Sequence, residues 1–324
     1  SQDGRVRQTF ERREKAPLAI RVLGDYLQVA FSGYNNRIHS ELLTWDLNAD
    51  ILGDLISLPD EEITNSLWTD NRLVTANQSG EVSMWDPSKR TLMLKFNAHQ
   101  DRISALQLSP NQESFITAAA DGGLSRWSTN EGKPLARYEG HKSGVSSLAT
   151  PSNPTLDIFA SGDQSGEVWL WSGRDGTGQH WQAARARIRH LSLSPQANYL
   201  ATVPAGSREL ATIWKIQPGK AAQKLATLPG GLCDAHWRGQ GSELSLLSVA
   251  CDGTIITWTP RGGRPQQNIA LKQALGGVAF KTATLHRDDQ HLLGVSTRGQ
   301  AIIADYKAQT ATPIISSTSV STAH

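Results

Sequence analysis

The chain of 324 residues has few cysteines, little net charge and no long apolar run. Its two cysteines, Cys233 and Cys251, are too few for a disulfide framework or a four-thiolate zinc site. No stretch comes near the roughly 18 consecutive apolar residues that a membrane-spanning helix needs. With 32 basic and 30 acidic residues the formal net charge is +2, so only local clustering could attract a charged partner. The 38% of hydrophobic residues is typical of a globular fold with a core.

Catalytic and metal-binding motifs are also scarce. The sequence has no G-x-S-x-G elbow and no glycine-rich loop followed by Lys and Ser or Thr for phosphate. Its nine His residues include no H-E-x-x-H, and the spacing of His286 and His291 indicates a solvated turn rather than a metal site. Acidic residues are scattered singly through turns, so no carboxylate pair is marked for acid–base work. The sequence therefore predicts a chain that is not an enzyme and has no cofactor or metal.

Tryptophan, in contrast, is abundant, with ten Trp against six Phe. Six of them close short apolar runs that lie between 40 and 44 residues apart, and one further step leads to Ala304 and Asp305. A period of about 40–45 residues is typical of the blades of a β-propeller. The six are Trp45, Trp85, Trp127, Trp171, Trp214 and Trp258.

Each repeat predicts four short antiparallel strands. In the third, "ISALQLSP" (103–110) alternates apolar and polar residues, and "SFITAAADGG" (114–123), "LSRW" and "PLARYEGH" follow it. We therefore expect an all-β fold, a seven-bladed β-propeller of four-stranded antiparallel blades. Residues 1–310 form one domain in this prediction, and residues 311–324 form a tail that is partly disordered or adds an edge strand.

The pattern resembles the WD-repeat family of seven-bladed β-propellers. Trp-Asp pairs stand at 45–46 and 85–86, and the Gly-His dipeptide of the family has counterparts at 140–141 and, altered, at 98–99. The resemblance implies a buried network of His, Ser or Thr, Asp and Trp, which the sequence predicts to be complete in few blades or none. The residues to which the resemblance gives a structural role are Trp45, Asp46, Trp85, Asp86, His99, Asp121, Trp127, His141, Trp171, Trp214, Asp252 and Trp258.

Two details of the resemblance stay open in the sequence. In the third blade, Ala118–Ala120 stands where the family has a hydroxyl, and Ser79 and Ser165 replace the tight-turn Asp of the second and fourth blades. For the outer strand of the seventh blade, "RVRQTFERR" (5–13) and "TPIISSTSVSTAH" (312–324) are alternatives. We favour the first, because pairing the two ends of the chain would close the ring and remove exposed edges.

The two cysteines allow two interpretations. Cys233 and Cys251 are predicted to face each other on neighbouring strands of the sixth blade, close enough for a disulfide. A bonded pair would favour an exported chain, and two reduced thiols a cytosolic one. We favour the two reduced thiols. Low cysteine usage favours the cytoplasm, and export stays open because the sequence starts at Ser1 and could be processed.

The resemblance implies a non-catalytic scaffold that binds protein partners through its loop faces, as a subunit or assembly factor of a larger complex. The alternative is a small-ligand-binding or enzymatic propeller that uses the central channel. Channel-lining first strands such as "VSSL" and "LCDAHW" are mostly apolar or small, which favours the scaffold. The basic stretch is short and lacks interleaved aromatics, so a nucleic acid partner is disfavoured.

The loops that lead into successive blades carry an uneven distribution of charge, and an acidic partner segment would fit their basic sector. The alternative is a solvated loop whose arginines pair with local acids. Trp181 is a candidate contact in an outer strand, or else it packs over the rim. The basic candidates for partner binding are Arg12, Arg13, Lys15, Arg102, Lys142, Arg185, Arg187, Arg189 and His190.

Overall fold

A computed structural model describes the chain. Its backbone is described for 16–23, 26–32, 40–46, 51–58, 63–69, 71–86, 88–89, 91–206, 208–260, 265–270, 280–285, 291–296, 301–305 and 310–315. Side chains are described between 63 and 260, with the same gaps, and for Asp305. The chain divides into two compact units. One holds the described residues up to Ile63, Val249–Ile255 and the described residues from Asn268 onward; the other holds Thr64–Ser248 and Ile256–Gln267.

The described strands pair into seven four-stranded sheets, and each sheet uses four consecutive strands. The first three sheets consist of β1 Ala16–Leu23, β2 Tyr26–Ser32, β3 Ser40–Asp46 and β4 Ile51–Leu58; β5 Ile63–Trp68, β6 Leu73–Asn77, β7 Glu81–Asp86 and β8 Thr91–Asn97; and β9 Ile103–Leu108, β10 Ser114–Ala119, β11 Leu124–Ser128 and β12 Pro134–Tyr138.

The other four sheets consist of β13 Val145–Ala149, β14 Ile158–Asp163, β15 Glu167–Ser172 and β16 Gly178–Gln182; β17 Ile188–Leu193, β18 Tyr199–Pro204, β19 Leu210–Gln217 and β20 Lys220–Gly230; β21 Leu232–Arg238, β22 Ser245–Ala250, β23 Thr254–Trp258 and β24 Pro265–Ala270; and β25 Phe280–Leu285, β26 His291–Ser296, β27 Ala301–Asp305 and β28 Thr310–Ile315. Among the described residues the one helix is a 3-10 turn, Gly241–Glu243, and none is long and apolar enough to cross a membrane. The antiparallel four-stranded sheets are as predicted; closure into one seven-bladed ring stays a prediction.

The outer strand of the seventh sheet differs from our expectation. β28 pairs antiparallel with β27, with Ile303 opposite Thr312, so it takes the place that we predicted for residues 5–13. That prediction is wrong for this position, and residues 5–13 themselves lie outside the described part of the chain. The physical reason is proximity along the chain. Closing a short connection from β27 costs less conformational entropy than recruiting the far terminus.

Neighbouring sheets of the second unit bury hydrophobic layers between them. Met84 and Phe115 belong to one layer, Tyr138 and Phe159 to the next, and Leu170 and Trp214 to a third (residues of two successive sheets in each case). Period-two alternation explains the layers, because it turns every second side chain of a strand towards the same neighbour.

The strand-closing tryptophans are anchored by hydroxyl groups in the same sheet. In the sheets with described side chains, each indole Nε1 donates a hydrogen bond to a Ser or Thr ten or twelve residues earlier. The ring is buried each time, with at most 9% of its surface exposed. The side chain of Trp45 lies outside the described residues. The pairs are Trp85–Thr75 at 3.0 Å, Trp127–Thr117 at 2.9 Å, Trp171–Ser161 at 2.8 Å, Trp214–Thr202 at 3.1 Å and Trp258–Ser248 at 2.7 Å.

The fourth sheet completes the four-residue network that the resemblance implies. His141 places Nδ1 2.9 Å from Asp163 Oδ2 and Nε2 2.6 Å from Ser161 Oγ, which also accepts the indole N–H of Trp171. Asp163 and His141 are buried, so each polar atom needs the partner that it has.

The third sheet corrects our alignment. Its hydroxyl is that of Thr117, which lies 2.7 Å from His99 Nε2, so the three alanines that follow do not remove it. In the second and fourth sheets the tight turn is held from two residues earlier than Ser79 and Ser165, by Asn77 and Asp163, whose Oδ1 atoms accept the turn's amide hydrogens.

Three other aspartates stabilise turns through their carboxylates. Asp121 accepts the amide of Gly123 at 2.8 Å, and Asp252 accepts that of Thr254 at 3.0 Å. Asp86 follows Trp85 and accepts hydrogen bonds from Ser88 and the Lys89 amide, which lower its pKa to about 2. Asp46 ends β3, and its side chain lies outside the described residues.

Both cysteines are disulfide-bonded, and no free cysteine stands in the described residues. We favoured two reduced thiols, and the structure corrects this expectation, because it holds the bonded state.

We expect Ser161→Ala to lower the free energy of unfolding by about 2–3 kcal/mol, because the substitution leaves the buried Trp171 indole and His141 ring each short of a partner. Urea denaturation measures the loss. Thr155→Ala, at an exposed side chain, is the control and should stay within about 0.5 kcal/mol of the parent. A loss for Ser161→Ala no larger than that of the control would contradict the role of the hydroxyl.

The stability of the fold should fall as the pH drops below about 6.5. Burial lowers the pKa of His141, and the adjacent Asp163 only partly offsets this effect. The unfolded chain therefore takes up a proton at a pH where the folded chain does not, and protonation favours unfolding. Urea unfolding at about pH 7.5 and about pH 5.5 measures the difference in the free energy of unfolding. This difference should be smaller in His141→Gln, and an unchanged difference would contradict the assignment of the effect to His141.

The bonded cysteines predict a simple outcome of thiol titration. The unfolded, unreduced protein should show no free thiol, and the reduced protein should show two, for Cys233 and Cys251. Two free thiols before reduction, in protein produced under oxidising conditions, would contradict the bond.

Candidate partner-binding surface

In the second unit, the loops that join successive sheets lie against the turns between the second and third strands. The amide of His99 donates to the carbonyl of Gly80 at 3.1 Å, and the amide of Ala184 donates to that of Gly166 at 3.2 Å. The turn at Gly122 approaches the next loop in the same way, because a Cβ added there would lie 3.1 Å from the carbonyl oxygen of His141. The two kinds of loop therefore share one face of this unit, as predicted.

Gly166 fixes the backbone of the loop between β16 and β17. Its φ is +88°, in the left-handed region, and a Cβ there would lie 2.3 Å from the carbonyl oxygen of Ala184. Only glycine lets the turn and the loop approach so closely. The loop thus has a defined backbone, although the side chains that it carries are free to point outward.

We call residues 183–187 the basic loop. Arg185 and Arg187 are both exposed there, and the carbonyl of Arg187 accepts the amide of Ala205 at 2.8 Å. Within the described part of the chain, neither guanidinium makes an ion pair or a hydrogen bond. Pairing with local acids, which the sequence left open, therefore does not explain these two arginines in the described residues.

The other predicted cations are distributed over this face or away from it. Arg102 and Lys142 are exposed on the loops that lead into the third and fourth sheets. Arg189 is half-buried on β17, and its Nη2 lies 3.6 Å from Cys233 Sγ. Arg12, Arg13 and Lys15 lie outside the described residues.

A groove of about 490 Å³ runs beside the basic loop. Arg185 lines it together with Arg208 of the next turn and Lys224 of β20, against the single carboxylate of Glu209. Leu210, 53% exposed, adds an apolar contact. The groove therefore offers cations from three chain segments to a ligand that lies along it.

Trp181 packs rather than projects. Its ring is half-buried, and its centroid lies 5.8 Å from that of Trp214, in the hydrophobic layer between the fourth and fifth sheets. This arrangement is the packing alternative of the sequence analysis.

His190 is half-buried and belongs to a polar cluster. We call His190, Asp234 and His236 the His–Asp–His cluster. His190 Nε2 lies 2.8 Å from Asp234 Oδ1, and His236 Nε2 lies 3.0 Å from Asp234 Oδ2. The amide of Ala235 donates to Asp234 Oδ1 at 2.9 Å. Burial by itself would raise the pKa of Asp234, but the two imidazoles hold it well below its usual range.

The family model "WD domain, G-beta repeat" matches residues 90–128 and 132–172, which contain the third and fourth sheets. These two segments of the chain are similar to WD repeats. No curated protein matches its sequence. A chain of the crystal structure of the mitotic checkpoint complex matches with a TM-score of 0.67 and 15% identity, over 91% of this chain and 93% of that one. At that identity the likeness shows the fold alone.

The two matched WD repeats are the ones whose internal networks are described most fully. Residues 90–128 contain His99, Thr117 and Trp127, and residues 132–172 contain His141, Ser161, Asp163 and Trp171. The fourth sheet holds the whole network, and the third lacks an acid at the position of Asp163, where Ala119 stands. The family model therefore matches the two sheets in which these hydrogen-bonded residues are present.

The sequence analysis missed the groove cations and the His–Asp–His cluster for different reasons. Arg208 and Lys224 approach Arg185 from other segments, and no local pattern predicts such a meeting. Asp234 and His236 did carry a signal, because residues two apart on a strand face the same side. We read "LCDAHW" as mostly apolar and so did not connect it with "IRHL".

Proposed function

We propose that this WD-repeat chain is a non-catalytic scaffold that binds an acidic segment of a partner protein along the basic loop and its groove. WD-repeat propellers generally serve as protein-interaction scaffolds, and the structural match comes from a multi-protein complex. A role as a subunit or assembly factor fits both observations. The proposal depends on one observation above all, namely that Arg185 and Arg187 are exposed without an ion-pair partner in the described residues.

The chemistry of the loop favours carboxylates. A guanidinium presents planar, paired N–H donors that match the two oxygens of a carboxylate or phosphate. Because the loop backbone is already fixed by Gly166 and Ala205, binding orders only side chains and so costs less conformational entropy.

The groove gives the proposed ligand a direction. Arg185, Arg208 and Lys224 line one depression, so an extended acidic segment would meet several cations in succession. Leu210 would take an apolar side chain of the segment. Arg102 and Lys142 lie on the same face and extend the attraction, whereas Arg189, His190 and Trp181 support the surface from within.

Reversing the charge of the basic loop tests the proposal. We expect Arg185→Glu/Arg187→Glu to fold as the parent does, because both side chains are exposed. A fluorescein-labelled poly-glutamate peptide, followed by fluorescence anisotropy, should bind the variant more than about tenfold more weakly than the parent. Binding to the parent should weaken as salt is added, since screening acts over roughly 8 Å at physiological ionic strength.

Arg174→Glu/Lys220→Glu is the matched control. It makes the same change of charge at two exposed positions outside the basic loop and its groove, Arg174 in the turn between β15 and β16 and Lys220 at the start of β20. The control should bind the peptide nearly as well as the parent. Equal losses in both variants would reduce the effect to net charge, and no loss in the loop variant would overturn the proposal. A single-stranded DNA oligonucleotide that outcompetes the peptide would point to nucleic acid instead.

A further inference from the structure

Neighbouring first strands of the second unit are joined by a recurring hydroxyl link. Thr64 Oγ1 donates to the carbonyl of Ile103 at 2.8 Å, and Ser146 Oγ donates to that of Ile188 at 2.6 Å. Ser104 Oγ makes the same bond to the carbonyl of Val145. In each case the donor is the second residue of a first strand and the acceptor is the first residue of the next one. The link is a structural device that holds successive sheets together.

The step from β17 to β21 departs from this rule. Arg189 stands where the hydroxyl residue is expected, and its Nη2 lies 3.6 Å from Cys233 Sγ. Other groups hold the two strands together here. Trp237 Nε1 donates to the carbonyl of Ser192 at 2.9 Å, and His190 Nε2 lies 3.0 Å from the carbonyl oxygen of Ala235. The His–Asp–His cluster occupies this exceptional step.

We propose that the His–Asp–His cluster binds one divalent transition-metal ion of the zinc type. Two imidazole nitrogens and one carboxylate oxygen form a common ligand set for zinc, with a further position left to water or to a group supplied by a partner. The three side chains come from two adjacent strands, so the site is assembled by the packing of β17 against β21.

The distances are compatible with such an ion. Two ligand atoms at about 2.1 Å from a tetrahedral zinc lie roughly 3.4 Å apart. The Nε2 atoms of His190 and His236 lie 2.8 Å and 3.0 Å from the two different oxygens of Asp234, so each of these distances needs to open by about half an ångström. On binding, the two Nε2 atoms would turn their lone pairs to the ion and give up the contacts that they make now.

The burial of the three side chains and the contact that holds the carboxylate both suit a metal site. The Asp234 side chain is 7% exposed, whereas the side chains of His190 and His236 are 27% and 23% exposed, so the cluster lies at the edge of the surface, with His236 Nε2 itself buried. The Ala235 amide fixes one oxygen of the carboxylate, which is the kind of second contact that orients a metal ligand. The rings stand at 63° to each other with centroids 5.6 Å apart, so their edges converge instead of stacking.

The other cluster of similar composition is already explained. His141, Asp163 and Glu167 also lie close together, but both ring nitrogens of His141 are engaged within its WD repeat, by Asp163 and Ser161. Turning His141 towards a metal ion would break the hydrogen bonds that stabilise that sheet. The His–Asp–His cluster has no such counterpart in the repeat pattern.

Isothermal titration calorimetry of the metal-free full chain with zinc chloride tests the site. We expect one ion per chain, and we expect His190→Gln and His236→Gln to weaken binding by more than about a hundredfold each, because loss of even an outer contact costs about 10- to 100-fold. Cobalt(II) gives a second readout. Its visible absorption should intensify on binding to the parent, as in sites of low coordination number, and stay like that of the aqueous ion in both variants.

His180→Gln is the matched control. His180 pairs with Glu167 at 2.6 Å on the fourth sheet, outside the proposed site, so its loss should leave zinc affinity unchanged. Zinc should also raise the melting temperature of the parent but not of His236→Gln, which separates a lost site from a lost fold. If His190→Gln fails to fold, the His236→Gln comparison decides alone.

Three results would overturn the proposal. They are the absence of zinc uptake by the parent, equal affinity in parent and both cluster variants, and loss of binding in His180→Gln alone. The first two would leave the cluster as a hydrogen-bonded strut between β17 and β21.

Discussion

The hydrogen bond from an indole to a hydroxyl within one sheet is the interaction on which the rest of the described structure depends. It places a large ring flat in the hydrophobic layer and satisfies its N–H at the same time, so the ring is buried without an unpaired donor. Five sheets repeat it, from Trp85 with Thr75 to Trp258 with Ser248. In the third, fourth and fifth sheets the ring packs into the hydrophobic layer that its sheet shares with the preceding one.

The sequence predicted the sheets well because their cause is local. Trp127 and Trp171 end strands at a regular period, and alternation in β9 and β13 shows which side chains face the next sheet. The hydroxyl of Thr117 was missed because its position depends on strand register, and register is set by pairing with β11, not by neighbouring residues. The outer strand β28 was missed because two segments had suitable patterns and only chain connectivity separates them.

The candidate site was predictable to a smaller extent. Arg185 and Arg187 could be assigned to a loop from punctuation alone, since they stand between two strands. Whether they pair with acids depends on which residues the fold brings near them, and the sequence does not show this. The same holds for the proximity of Arg185 and Lys224 in the groove. His190 contacts Asp234 in the His–Asp–His cluster. In "ARARIRH" the strand begins at Ile188. The direction of the His190 side chain is therefore set by the alternation of the strand, whereas Arg185 lies in the loop before it.

The contact between Gly166 and the basic loop makes the path of the loop independent of the side chains that the loop carries. The path of the loop is set by backbone atoms and a glycine, which make no demand on the identity of the side chains at 185 and 187. Either side chain can then be exchanged without a new loop conformation. The same construction at Gly80 and Gly122 turns this face into a row of interchangeable positions. Such a surface could be rewritten for a different partner one residue at a time, with the repeats beneath it left as they are.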